Sequence, residues 1–502
     1  MKFGLIISLA LLVYLALSVL FAVLRARRRG WIMATVRIGA TLLAAVVAFV
    51  LAKWIPTLVL DKTFDTLTPQ LGEGLGGFIS EVPAGIEGVR VLAALIAAPI
   101  LFFVLFLILR IIFAIVCKIV EVCVPFLKVR SLKALTMSLG AVNAILVMLI
   151  TLVPLFGFVV LGNHALVAME EAKLVEDMGE VSGIVDDIAT SPAVTVVHTL
   201  GKPLFNGLTT GELDAEATHG VKITLNLENE LCGIIKAGGS AVQAMSVMDG
   251  DNFSEEDKQL LSDMADNLLA SDWVELVATD SLVALSSSWL RGEAFIGLEP
   301  PVLDATITPT FNHFLLVLAT ETTETISADL HTLLDVIGDL LSYGFMGENM
   351  DYAQMVKDMS QNGMLTSILS KLEANERFVS LSTELKSLGL RMVTSMLGVE
   401  SLQSGEHAEL MENVAGSLND VMYMEKEERD AVIQESLSEA FGNSGFEVSG
   451  DVVTNLSDEI IEELGADGEI TAEELTDFLV QKSEEGFDIP FDQLPENLRP
   501  AA

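Results

Sequence analysis

The sequence predicts an all-α protein in which a four-helix transmembrane region precedes a mainly α-helical soluble part with at most one or two short strands. Four long apolar runs fill the first 162 of the 502 residues. A helix of roughly 20 apolar residues is long enough to cross the hydrocarbon core of a bilayer. The remaining residues contain no further such run, but their apolar side chains recur at the three- and four-residue spacing of amphipathic helices.

Two of the four predicted spans contain an arginine. The first and fourth spans carry no charge, whereas the second contains Arg37 and the third Arg110. Each arginine lies six or seven residues from a predicted helix end. Snorkelling of the side chain to the headgroups, or packing, is one interpretation, and a role in a pore or transport path is the other. The predicted spans are residues 3–24, 31–52, 91–116 and 134–162.

Basic residues beside the spans predict the orientation of the chain, because loops rich in Lys and Arg stay in the cytoplasm. We therefore expect a multi-pass protein of the cell membrane with both termini and residues 163–502 extracytoplasmic. A cleaved signal peptide is disfavoured for residues 1–24, since only Lys2 precedes the apolar run. The basic residues are Arg25, Arg27, Arg28 and Arg29 after the first span, and Lys118, Lys128, Arg130 and Lys133 after the third.

The order of features in residues 1–162 has a counterpart in a known family. An apolar span is followed by the Arg28-Arg29-Gly30 turn, by Arg37 seven residues later, by an amphipathic loop and a third span, and by a basic loop before a fourth span. This order resembles the CvpA family, bacterial membrane proteins named for colicin V production. The resemblance implies a non-enzymatic integral membrane protein with a role in toxin or bacteriocin production or in maintenance of the cell envelope.

Two function classes follow. In the first, the outer part is an interaction scaffold for an envelope or secretion protein that the sequence does not identify. In the second, the four-helix part is a subunit of a small channel or transporter whose path is lined by Arg37 or Arg110. A homo-oligomer formed through the transmembrane helices is compatible with either. An enzyme is not expected, because no nucleophile and base stand in a recognisable arrangement.

Charge is divided sharply along the chain. Residues 1–162 carry 14 Lys and Arg against 6 Asp and Glu, whereas residues 163–502 carry 15 against 63. The second part therefore has a net charge of −48. This excess argues against nucleic acid as a partner, because phosphates require cationic contacts. It favours solubility, with binding of a divalent cation or a basic ligand as the alternative.

The acidic part divides into three predicted segments. Residues 163–400 form a helical domain, residues 401–482 form a C-terminal helical subdomain, and residues 483–502, rich in acid and proline, form a disordered tail. Short strands are expected only at Val221–Leu227 and Ala305–Thr310.

Residues 467–475 match the second half of an EF-hand loop whose first position would be Glu463. Gly468 stands where the loop turns sharply, and Glu474 stands at the twelfth position, where a bidentate calcium ligand is expected. Gly465 supplies no side-chain oxygen at the third position. A turn between two helices, with Thr471 and Glu474 as a capping box, is the alternative interpretation. The candidate calcium ligands are Glu463, Asp467, Glu469 and Glu474. Calcium is the one cofactor that the sequence suggests.

Overall fold

The computed structural model describes residues 3–28, 30–67, 82–123, 132–174, 179–214, 218, 222–248, 253–303, 307–342, 364–424, 429, 432–433, 436, 450–465 and 468–484. Most of these residues are helical, and the named strands are two short ones, which confirms the predicted fold class. Packing divides the chain into two compact units. Unit 1 contains residues 1–240 and 267–277, and unit 2 contains residues 241–266 and 278–502.

Unit 1 begins with four long apolar helices, each of which contains one predicted span. Among the helices that the structure describes, these four are long and apolar enough to cross a membrane. They support a multi-pass membrane protein. The helices also extend beyond the predicted spans, since an apolar helix need not end where the bilayer does. They are α1 (Phe3–Arg27), α2 (Trp31–Leu67), α3 (Pro83–Cys123) and α4 (Lys133–Glu171).

The four helices pack as two neighbouring pairs. Helix α2 lies along α3, α1 lies along α4, and α2 also contacts α4. Gly140 brings α1 and α4 close together, because a Cβ at this glycine would lie 2.6 Å from the Cβ of Ala26. Small residues allow such approach between membrane helices. Helices α2, α3 and α4 share a core that contains Ala48, Phe102 and Ile150.

Two shorter helices and a small sheet complete this packing. Helices α5 (Gly179–Ala189) and α6 (Pro192–Thr209) contact the four long helices. Strands β1 (Thr210–Glu212) and β2 (Thr224–Asn226) pair antiparallel. The strand predicted at Val221–Leu227 is confirmed at β2, whereas β1 is not foreseen, because three residues are too few to show an alternating pattern.

The strand predicted at Ala305–Thr310 is wrong where the structure describes it. Residues 305 and 306 lie outside the described residues, and α10 begins at Thr308. Pro309 stands in the first turn of that helix, where its missing N–H needs no partner. Buried Leu315 and Leu318 then continue a helical rather than an alternating pattern.

The segment 267–277 joins unit 1 through a buried carboxylate. Glu230 accepts hydrogen bonds from the Ser271 hydroxyl at 2.5 Å and from the Trp273 N–H at 3.2 Å. The Trp273 indole donates to the Ala84 carbonyl at the start of α3, at 3.1 Å. Burial raises the pKa of Glu230 although both donors oppose the shift. These contacts fix the start of the helix that begins at Asp272 against α3.

The remaining helices belong wholly or partly to unit 2, where four helices, residues 379–397, 408–421, 450–464 and 472–484, share an apolar core. The predicted boundaries at 162, 400 and 482 stay predictions, and residues 485–502 of the predicted tail lie outside the described residues. The helices are α7 (Leu227–Met248), α8 (Glu255–Leu268), α9 (Asp272–Leu290), α10 (Thr308–Ala319), α11 (Ile326–Ser342), α12 (Met364–Ala374), α13 (Val379–Leu397), α14 (Val399–Gln403), α15 (Ala408–Val421), α16 (Gly450–Leu464) and α17 (Ala472–Glu484).

Candidate functional site

A cavity of about 1040 Å³ lies among the four membrane helices. It exists because α1 packs mainly on α4 while α3 packs mainly on α2, which leaves space between α1 and α3. Helix α1 and the turn after it line the cavity from Leu11 to Arg28, and α4 lines it from Leu139 to Leu152. Its lining therefore runs from the arginine-rich end of the helices to about the middle of their apolar stretches.

The lining of this cavity is strongly basic. Four arginines contribute to it, and none of the described residues that line it is acidic. Its other polar side chains can donate or accept hydrogen bonds without adding charge. The arginines are Arg25, Arg28, Arg37 and Arg110, and the uncharged polar residues are Tyr14, Ser18, Asn143 and Thr151.

Arg37 has a carboxylate partner that lies beyond the predicted third span. Its Nη2 is 3.9 Å from Oε2 of Glu121. The predicted span ends at residue 116, whereas α3 continues to Cys123 and brings Glu121 to the level of Arg37. An acidic partner for Arg37 is thus present on a neighbouring membrane helix. This single carboxylate does not balance the positive charge of the cavity.

Arg110 lies deeper among the helices. It stands 13 residues before the last residue of α3, which corresponds to about 20 Å at 1.5 Å per residue. Tyr14 of α1 lines the same cavity. No hydrogen bond or ion pair joins Arg110 to any residue in the described part of the chain. A guanidinium at membrane depth is costly, and such residues usually face a cavity or a partner.

Asn143 holds two membrane helices together at the cavity wall. The Thr41 hydroxyl of α2 donates to Oδ1 of Asn143 on α4, at 2.9 Å. A polar amide within an apolar span tends to bond to a neighbouring membrane helix, and this contact is such a bond. Thr41 is not foreseen as the partner, because many hydroxyls stand in the spans and only helix packing selects one.

The turn between α1 and α2 depends on a glycine. Gly30 has φ of +94°, a conformation that side chains other than glycine rarely adopt. Arg28 lines the cavity from this turn, and Arg29 lies outside the described residues. The short turn therefore holds α1 and α2 close at the arginine-rich end.

The calcium candidates have other roles where the structure describes them. The Thr471 N–H donates to Oε2 of Glu474 at 3.0 Å, and the Glu474 N–H donates to the Thr471 hydroxyl at 3.2 Å. This is a capping box, and the Thr471 hydroxyl and N–H hold the pKa of Glu474 below its usual value. Glu463 lies 3.4 Å from Lys482 Nζ.

Asp467 lies outside the described residues, and Glu469 forms no hydrogen bond or ion pair with the described part of the chain. Among the residues that the structure describes, no three His, Cys, Asp or Glu side chains converge as metal ligands would. The helix–turn–helix interpretation accounts for Thr471 and Glu474. Calcium binding stays an untested prediction.

No protein-family model, curated protein or solved structure matches this chain. The resemblance to the CvpA family therefore stays an expectation from the sequence. The arginine-lined cavity is the feature of the described structure from which a function can be argued.

Proposed function

We propose that this chain is a non-enzymatic membrane protein whose four-helix part takes a phosphate-bearing anion into the arginine-lined cavity. Such a protein belongs with small channels and transporters. The observation that carries the proposal is the lining itself, which has four arginines and no acidic side chain among the described residues. The planar guanidinium fork matches the geometry of phosphate oxygens and stays charged at all physiological pH values.

The size of the cavity supports a ligand larger than a bare inorganic ion. Ligand cavities usually measure roughly 300–1000 Å³, and this one is at the upper end of that range. A phosphate could enter either as a free anion or as the headgroup of a lipid. Both sources share the chemistry that the arginines recognise, so the experiment must separate them.

The depth of Arg110 favours this function over snorkelling. A snorkelling side chain needs to reach the headgroups from its position on the helix. Arg110 stands about 20 Å from the end of α3 by helical rise, and Arg37 only about 9 Å from the start of α2. Snorkelling accounts for Arg37 more readily than for Arg110, whereas a shared anion accounts for both.

The proposed topology has the arginine-rich end in the cytoplasm, with both termini and residues 163–502 outside. Support comes from the basic loops and from the pairing of α1 with α4. Because Gly140 packs against Ala26, the arginines that follow α1 and the start of α4 at Lys133 lie at the same end of the helices. An anion would then enter from the cytoplasmic side or leave towards it.

A scaffold role for residues 163–502, as the CvpA resemblance implies, is a second and compatible proposal. Unit 2 has apolar cores of its own, for example among α13, α15, α16 and α17. The net charge of −48 in residues 163–502 disfavours anionic lipids and nucleic acid as partners. A protein of the envelope or secretion machinery is therefore the proposed partner, with assembly through the membrane helices as a further proposal.

Anion binding can be tested on the full-length protein in phosphatidylcholine nanodiscs. Calorimetry would measure binding of inorganic phosphate, and native mass spectrometry would measure retention of added phosphatidylglycerol. We expect at least one probe to bind and Arg110→Gln to weaken it by about 10- to 100-fold, since a hydrogen bond to a charged group contributes roughly 1.5–3 kcal/mol. Phosphate binding identifies a soluble anion, and lipid retention alone identifies a headgroup.

The matched control is Lys53→Gln, which removes the same charge from α2 outside the cavity lining. We expect this variant to bind like the unmodified protein. The proposal fails if neither probe binds, or if Arg110→Gln and Lys53→Gln behave alike.

Transport is tested separately: anion flux in proteoliposomes should drop in the Arg37→Gln/Arg110→Gln double variant. If the unmodified protein and the double variant both showed only background flux, a transporter would be excluded.

A further inference from the structure

Helix α6 occupies an unusual position for a helix outside the four apolar ones. Gly201 faces Val153 of α4 so closely that a Cβ would fall 2.0 Å from the valine side chain. Likewise, a Cβ at Gly157 would fall 2.2 Å from the ring of Phe205. Val153 and Gly157 both lie within the predicted fourth span. Helix α6 therefore packs against a part of α4 that is itself expected in the bilayer.

The end of α6 packs against residues of the other predicted spans. Leu208 is fully buried in a cluster with Ala48 of α2, Phe102 of α3 and Ile150 of α4. Gly207 faces Phe49 of α2, and Gly211, just after the helix, faces Val91 and Leu95 of α3, all within the predicted spans. A helix that ends at this level in a bilayer-spanning protein enters the hydrocarbon region.

The start of α6 and the helix before it contact the first turns of α1. The Ala193 N–H donates to the Ser8 hydroxyl at 3.4 Å, and the Gly4 N–H donates to Oδ2 of Asp187 at 3.0 Å. Asp187 belongs to α5. Helix α6 thus runs from the first turns of α1, along α4, to the end of the second predicted span and the start of the third.

The exposed side of α6 has two edges of opposite chemistry. Val196 and Leu200 stand four residues apart and are 58% and 64% exposed. His198 and Lys202 also stand four residues apart, and they are offset from the first pair by two residues. At 3.6 residues per turn this offset is about 200° around the helix. The packed residues Val194, Gly201, Phe205 and Leu208 lie between the two edges.

His198 and Lys202 face a polar cluster. That cluster includes His164 of α4 and Glu228 of α7, whose Nδ1 and Oε1 are 2.6 Å apart. Val196 and Leu200 face away from it. A helix with one apolar edge and one polar edge is typical of a membrane interface.

We infer that α5 and α6 form a hairpin embedded in the bilayer, with the Val196–Leu200 edge of α6 in contact with lipid acyl chains. Helix α5 likewise exposes the apolar side chains Val181 and Ile184. Acyl chains are the occupant because the neighbouring exposed residues at this level, such as Leu9 of α1, face lipid in any bilayer-spanning arrangement. The inference requires only that the four long helices span a membrane, and it is independent of anion binding.

Site-directed spin labelling tests the inference on the full-length protein in lipid bilayers. Single labels would be placed by Val196→Cys, Leu200→Cys, Lys202→Cys and Leu9→Cys after Cys117, Cys123 and Cys232 are replaced by Ala. Oxygen concentrates in the bilayer, whereas a nickel chelate stays in water. We expect positions 196 and 200 to match position 9 in favouring oxygen, and position 202 to favour nickel.

Nickel access at 196 and 200 equal to that at 202 would overturn the inference. If neither reagent reached positions 196 and 200, the inference would also be overturned, because protein would then cover the edge.

A second measurement needs no variant. Lipids that carry a photoreactive diazirine in the acyl chain should form adducts on α6 as well as on α1 of the unmodified protein. Adducts on α1 with none on α6 would contradict acyl-chain contact.

Discussion

Glu321 shows how burial sets the charge of a single residue. Its side chain is fully buried between α10 and α11, where it faces Arg377 at 3.4 Å and accepts a hydrogen bond from the Thr325 hydroxyl. Burial, with the nearby Asp329 carboxyl, raises the pKa of Glu321 to about 7. Arg377 forms its shorter bond, 2.7 Å from Nε, with Asp329. Arg377 thus contacts two carboxyl groups, and Glu321 keeps its proton at pH values below about 7.

This arrangement predicts a pH dependence of stability around residues 317–342. Because the pKa of Glu321 is higher in the folded protein than in the unfolded chain, its stabilising effect is complete below about pH 4.5. It is lost as pH rises towards 7. Amide hydrogen exchange of this segment should therefore accelerate from pH 5 to 7 beyond the intrinsic rate.

Glu321→Gln keeps a neutral side chain at every pH and should flatten that profile. Exposed Glu299 provides the control, since Glu299→Gln should leave the profile as it is. If Glu321→Gln showed the same pH dependence as the unmodified protein, the proton would not reside on Glu321.

At the scale of elements, a glycine decides how closely α1 and α4 pack. A Cβ at Gly140 would lie 2.6 Å from the Cβ of Ala26 and 3.1 Å from the Ala22 carbonyl oxygen, so one helix would have to move. A Cβ at Gly39 of α2 meets nothing within 4 Å. These two glycines form a matched pair in neighbouring membrane helices.

We predict that Gly140→Ala destabilises unit 1 by roughly 1–3 kcal/mol through overpacking. Gly39→Ala should be neutral or stabilising by up to about 1 kcal/mol, because alanine has the higher helix propensity. Unfolding midpoints of both variants in the same detergent measure the difference. Equal midpoints would show that α1 and α4 do not pack at Gly140.

The capping box predicts a second effect at this scale. Thr471→Ala removes the acceptor for the Glu474 N–H and should destabilise the start of α17 by about 1 kcal/mol. Amide exchange over residues 472–484 would measure this change. Thr476→Ala is the control, because its hydroxyl bonds only within α17, to the Ala472 carbonyl. Slower exchange of the unmodified protein in millimolar calcium would instead favour the EF-hand interpretation.

At the scale of the molecule, topology determines which side each part of the chain meets. Val302 is fully exposed in unit 2, and Cys123 is exposed at the end of α3. The topology proposed from the positive-inside rule has residue 302 outside and residue 123 in the cytoplasm. The two positions therefore report opposite sides of the membrane.

A membrane-impermeant maleimide added to intact cells should label Val302→Cys and spare Cys123, with Cys117 and Cys232 replaced by Ser. Cys123 should react only after the membrane is opened. The reverse pattern would invert the proposed topology and, with it, the side from which an anion reaches the cavity. Labelling of both positions in sealed cells would contradict a cytoplasmic Cys123.

Local patterns in the sequence determined the four apolar helices, the helical nature of the rest, the positions of Arg37 and Arg110, and the Thr471–Glu474 cap. These features depend on hydropathy, periodicity and neighbours within one helical turn. Tertiary structure decided the pairing of Arg37 with Glu121, the cavity that Arg110 shares with Tyr14, and the packing of α6 along the membrane helices. Those contacts join residues far apart in the chain, so they follow from which helices pack together, and no single segment encodes that choice.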